Sequence, residues 1–101
     1  MAARIAVRNG SVYLGHQAVA TYFGGITAII VLIRDGQLQI LPVRQMAAGG
    51  CLLKIRNARG DRVASAPDVF AEHGLLAWQA DDLEAVWSAE VGALVADLPA
   101  N

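Results

Sequence analysis

Apolar and polar residues alternate with a period of two through much of the first two-thirds of the chain. Arg4-Ile5-Ala6-Val7-Arg8 alternates cleanly, and Asn9-Gly10 then offers the favoured pair for a two-residue type I′ turn into Ser11-Val12-Tyr13-Leu14. Residues 15–25 read as a short helical turn ending at Gly24 or Gly25. Residues 26–33 (Ile-Thr-Ala-Ile-Ile-Val-Leu-Ile) are β-branched and apolar at both parities, which predicts a strand covered on both faces. Asp35-Gly36 turns the chain back into Leu38-Gln39-Ile40-Leu41, where Pro42 marks a strand end. Alternation resumes at residues 51–56, with Cys51, Leu53 and Ile55 on one face and Leu52, Lys54 and Arg56 on the other. Asn57-Ala58-Arg59-Gly60 closes a third hairpin.

The period changes in the last third. Ser65-Ala66-Pro67-Asp68 has the composition of a capping box, and it predicts a short helix over about 66–73 that stops at Gly74. Residues 75–79 read as one more short strand. Leu83, Val86, Trp87, Val91, Leu94, Val95 and Leu98 recur at helical spacing, which predicts a long C-terminal amphipathic helix over about 82–98. Asp81 or Asp82 would cap it and Pro99 would end it. The far side of that helix would carry Ala85, Ala89, Gly92 and Ala96, a small-residue stripe that forms the candidate oligomer face. Strands followed by helices argue an α+β class: one domain over residues 1–101, with an antiparallel sheet of about five to seven short strands from three hairpins, packed by the two helices.

Composition adds one constraint. Hydrophobic residues make up 55% of the 101 positions and charged residues 17%, against about 25% charged in an average domain. So little charge leaves apolar surface for a second copy to cover, and a homo-oligomer is expected. The charges are also sorted. All eight basic residues lie at or before residue 62, while seven of the nine acids lie at or after residue 68. Basic strands docking on acidic helices would satisfy both parts. On the predicted helix Glu90 falls inside the apolar stripe, so it is a candidate buried ion pair with Lys54 or Arg56.

Reactive chemistry is sparse. His16, His73 and the single Cys51 form no motif with metal-ligand spacing, and Cys51 sits on an apolar strand face. Gly24-Gly25 and Gly49-Gly50 belong to no phosphate-binding loop. No catalytic residue, cofactor or metal is expected. Residues 9–33 lack Asp, Glu, Lys and Arg, but their apolar part is shorter than the about 20 residues of a membrane span. With one cysteine, the chain reads as cytoplasmic.

The densest basic cluster, Lys54, Arg56, Arg59 and Arg62, falls on the third hairpin and is a candidate interaction edge. It lacks interleaved aromatics, which argues against a stacking platform for single strands. Residues 52–63, followed by Pro67, Phe70 and Gly74-Leu75, resemble the looped-hinge helix of AbrB-type transcription regulators. That resemblance implies a swapped-hairpin dimer that binds DNA, and it covers about a quarter of the chain. Three functions therefore compete. The leading one is a non-catalytic protein-interaction or assembly module that self-associates. The others are a nucleic-acid-binding regulator using residues 54–62, and a small-molecule enzyme or carrier with a pocket between sheet and helix near Tyr13, Tyr22, Trp78 and Trp87.

Overall fold

The first two hairpins form where the turn residues place them. In the computed structural model, which describes residues 2–43 and 50–99, β1 (Ala2–Arg8) turns through Asn9 and Gly10 into β2 (Ser11–Leu14). Both turn residues have positive φ, 50° and 78°, as a type I′ turn requires. After α1 (His16–Tyr22), β3 (Ala28–Arg34) turns in the same way through Asp35 and Gly36 into β4 (Gln37–Val43). Then follow β5 (Cys51–Leu52), β6 (Lys54–Ile55), β7 (Arg62–Ser65), α2 (Pro67–Glu72), β8 (Gln79–Ser88) and β9 (Ala93–Asp97).

All strand pairs are antiparallel, in the order β5-β3-β4-β9-β8-β1-β2-β7-β6. The two outermost members of that order are consecutive in the chain. Leu53 alone separates them, and its N–H donates to the Thr27 carbonyl at 2.8 Å. One kinked segment thus pairs with β3 through β5 and with β7 through β6, which bends the sheet into a nearly closed barrel.

Inward residues fill the barrel. Val7, Val12, Leu14, Ile29, Leu38, Ile40 and Leu94 are each less than 2% exposed. Burial of side chains this size stabilises the fold by about 1.5–3 kcal/mol apiece. The helices close the ends. α1 links β2 to β3 and is followed by the fully buried Phe23. At the opposite end α2 leaves β7 beside the Asn9-Gly10 turn, where the Ala66 N–H donates to the Gly10 carbonyl at 2.9 Å, and α2 buries Phe70 completely.

Several expectations are overturned. The fold is mainly β rather than α+β: nine strands and two short helices are described. The long C-terminal helix is absent, and the hairpin β8–β9 stands in its place. The reason is in the spacing. Leu83 and Trp87, like Leu94 and Leu98, are four residues apart, which satisfies a period of 2 as well as one of 3.6. The inward position between each pair is a buried alanine, Ala85 or Ala96, so the strand alternation is masked. A loop over residues 89–92 joins the two strands, with Gly92 at φ 74° and its N–H donating to the Ser88 carbonyl at 2.8 Å. The capping box also fails to form. Ser65 belongs to β7 opposite Ser11, and the residue before α2 is Ala66, which offers no side-chain cap. Residues 75–78 form turns rather than a strand, β8 beginning at Gln79. No described helix is long and apolar enough to cross a membrane.

Candidate functional site

Two outer faces of the barrel differ sharply in chemistry. On the β1-β2-β7-β6 side, register aligns Ala6, Tyr13, Val63 and Lys54 in one row across four strands. Val7, Val12 and Ala64, the in-register neighbours of opposite parity, point into the core. Tyr13 therefore stands on the outside, and two guanidinium groups flank it. Arg56 lies over its ring at 4.7 Å from the centroid and Arg8 at 5.7 Å.

The β1 cations also meet acids. Arg8 contacts Asp81 through both Nε (3.0 Å) and a terminal nitrogen (2.9 Å), while Arg4 lies 3.6 Å from Asp82 and 4.0 Å from Glu84. The sorted charges of the sequence are thus matched along the β1–β8 ladder. These pairs are solvent-exposed, so each contributes at most about 1 kcal/mol. Lys54 and Arg56 carry no ion pair among the described residues. Their expected partner, Glu90, is exposed in the β8–β9 loop, so no buried ion pair forms there.

The remaining two cations of the cluster are held locally. Asp61 is the hub of the loop after β6. Its Oδ1 accepts the His16 N–H at 2.7 Å and its Oδ2 accepts the Asn57 side-chain amide at 2.8 Å. His16 Nδ1 lies 3.2 Å from the same Oδ1, and an Arg59 terminal nitrogen lies 3.4 Å from Oδ2. The Asn57 bond, then the His16 backbone bond, hold the Asp61 carboxyl down at about 2. Arg62 is half-buried, points a terminal nitrogen at the Leu53 carbonyl at 3.4 Å, and leaves its Nε buried without a partner. Of the four predicted basic residues, only Lys54 and Arg56 share the outer face with Tyr13.

The opposite wall, made by β3, β4, β9 and β8, is uncharged over its middle. Outward residues Leu32, Gln39, Val95 and Val86 form one cross-strand row, and Ile30 pairs with Leu41 beside it. Gln39 is only 8% exposed between its apolar neighbours. Val86 and Val91, by contrast, are 46% and 43% exposed, and with Val95, Glu84 and Asp97 they line a shallow groove of about 310 Å³. The predicted oligomer stripe does not exist as a surface. Ala85 and Ala96 point into the core, while Ala89 and Gly92 lie in the loop between the strands.

A second groove, about 550 Å³, runs between α1 and the start of β1, floored by Ala2, Ala3 and Ala18 and bordered by Arg4, His16 and Tyr22. Tyr22 stacks on Trp87 with centroids 5.4 Å apart and planes 9° from parallel, which fastens α1 to the barrel. Of the four aromatics expected to share a pocket, Tyr13 stands instead on the outer wall. Cys51 is half-buried and burial pushes its thiol up. No group of three or more metal-ligating side chains occurs among the described residues.

Sequence reasoning missed Arg8 and Tyr13 as partners of the basic hairpin. The first turn held the clue, since a two-residue loop pairs Arg8 with Ser11 and puts Tyr13 diagonal to Arg8 on the same face. Comparison of the chain with known protein families, with curated proteins and with solved structures gives no match.

Proposed function

We propose that the protein is a non-catalytic assembly module that self-associates through the uncharged middle of the outer wall of β3, β4, β9 and β8. The observation that carries this reading is the row Leu32, Gln39, Val95 and Val86, which lies outside the core and has no charge within it. Such a wall is its own complement. Two copies brought together by a two-fold axis over this row bury apolar area, with Glu84 and Asp97 of the adjoining groove left at the solvated rim. Four strands about 4.8 Å apart and roughly five residues of about 3.3 Å each give a patch of roughly 300 Å² in plan on each copy, below the about 800 Å² per partner of a standard stable interface. The association is therefore a weak, concentration-dependent dimer.

Sedimentation velocity over a concentration series tests this. The native chain is expected to move from monomer to dimer as concentration rises, and Val95→Arg is expected to stay monomeric with its far-UV spectrum unchanged. A native chain that remains monomeric at millimolar concentration overturns the reading.

A further inference from the structure

We infer that the outer face of β2, β7 and β6, completed by Arg8 of β1, binds single-stranded nucleic acid. This face lies on the wall opposite the proposed dimer contact, and the two ideas stand or fall separately.

The first support is charge. β2, β6 and β7 contain no Asp or Glu at all, and the carboxylates of neighbouring β8 are engaged by Arg4 and Arg8 of β1. Lys54 and Arg56 are left as exposed cations without an acid among the described residues. A polyanion gains counterion release at such a face.

The second support is the ring between the cations. Tyr13 is half-buried and rises from small neighbours, with Ser11 and Ser65 in register beside it. The Arg56 guanidinium lies over the ring, and guanidinium planes and aromatic rings both accept an unstacked base. Ser11 and Ser65 add hydroxyls within reach of sugar or phosphate.

Shape decides among polyanions. The face is a barrel wall, with no helix or ribbon projecting to enter a major groove, so duplex bases stay out of reach. An acidic peptide would use the cations but has no use for the Tyr13–Arg56 stack. The ring and the cations are used together only by a strand whose bases are splayed.

Fluorescence anisotropy with a labelled single-stranded oligothymidylate of about ten nucleotides tests the assignment, since sites of roughly this size suit a small barrel. With the two unpaired cations Lys54 and Arg56 engaged, the logarithm of affinity is expected to fall against the logarithm of salt with a slope of about −1.4. Tyr13→Ala is expected to weaken binding by roughly tenfold, the loss of one stacked base, and Tyr13→Phe to restore it. Lys54→Ala with Arg56→Ala, both exposed and remote from the core, is expected to flatten the salt slope. No binding at low salt, equal affinity for duplex DNA or for polyglutamate, or affinity unchanged in Tyr13→Ala would each overturn the inference.

Discussion

Asp61 accepts the backbone N–H of His16 at 2.7 Å, so a carboxylate in the loop after β6 fastens the first residue of α1 from 45 positions away. The helix has no side-chain cap of its own on Gly15, and this contact takes that role across the end of the barrel. Asn57 completes the arrangement. Its amide donates to Oδ2, while its carbonyl oxygen accepts the N–H groups of Arg59 (3.1 Å) and Asp61 (3.3 Å).

The pH dependence of stability follows from that cluster. The Asp61 carboxyl lies at about 2 in the folded chain against a usual 3.8, so folding binds it in its charged form. Its contribution is fully present above about pH 4 and is lost as pH falls through about 2. Thermal melts across acid pH are expected to show Asp61→Asn less stable than the native chain at neutral pH, with the gap narrowing between pH 4 and pH 2. A gap that stays constant over that range would remove Asp61 from this role.

The two plugging aromatics report on the ends of the barrel. Phe70→Ala is expected to cost about 3–5 kcal/mol in urea unfolding, because a fully buried ring leaves a cavity where α2 meets the barrel. A loss below about 1 kcal/mol would mean that α2 collapses into the space or does not pack there.

Two glycines share one backbone conformation and differ in their surroundings. A Cβ on Gly36 (φ 74°) meets nothing within 4 Å, so Gly36→Ala is expected to cost only the left-handed strain of about 1–2 kcal/mol. On Gly10 (φ 78°) a Cβ would lie 2.7 Å from Pro67 Cα, which is backbone and cannot swing away. Gly10→Ala is expected to be clearly the more destabilising of the pair in parallel denaturant melts.

Ala85 distinguishes the strand from the helix that the periodicity imitates. As a residue 0% exposed inside the barrel, Ala85→Leu is expected to overpack the core and lower stability by about 1–3 kcal/mol. On the small-residue face of a solvated helix the same change would be neutral or slightly stabilising. Chemical denaturation separates these outcomes.

Local turn chemistry was readable, and packing was not. Asn9-Gly10 and Asp35-Gly36 specified two hairpins because positive φ at both turn positions leaves few alternatives. Pro67 likewise marked where α2 begins. The final hairpin was hidden because Ala85 and Ala96 are inward residues too small to register as apolar positions, so the larger side chains alone set the apparent period. That misreading carried the candidate oligomer face and the Glu90 pair with it. Lys54 and Arg56 were legible as exposed cations, whereas Tyr13 joins them only once β2 pairs with β7, a contact that spans about fifty residues and has no local signature.

The break at Leu53 makes the barrel unequal around its circumference. β1 and β8 are joined over most of their length, but the segment that closes the cylinder has only two register pairs on each side. Hydrogen-exchange protection is therefore expected to be lowest along residues 51–55 and highest on the β1–β8 ladder. Any opening of the barrel at this seam would part Lys54 from the wall that holds Tyr13, so the weakest closure borders the basic face.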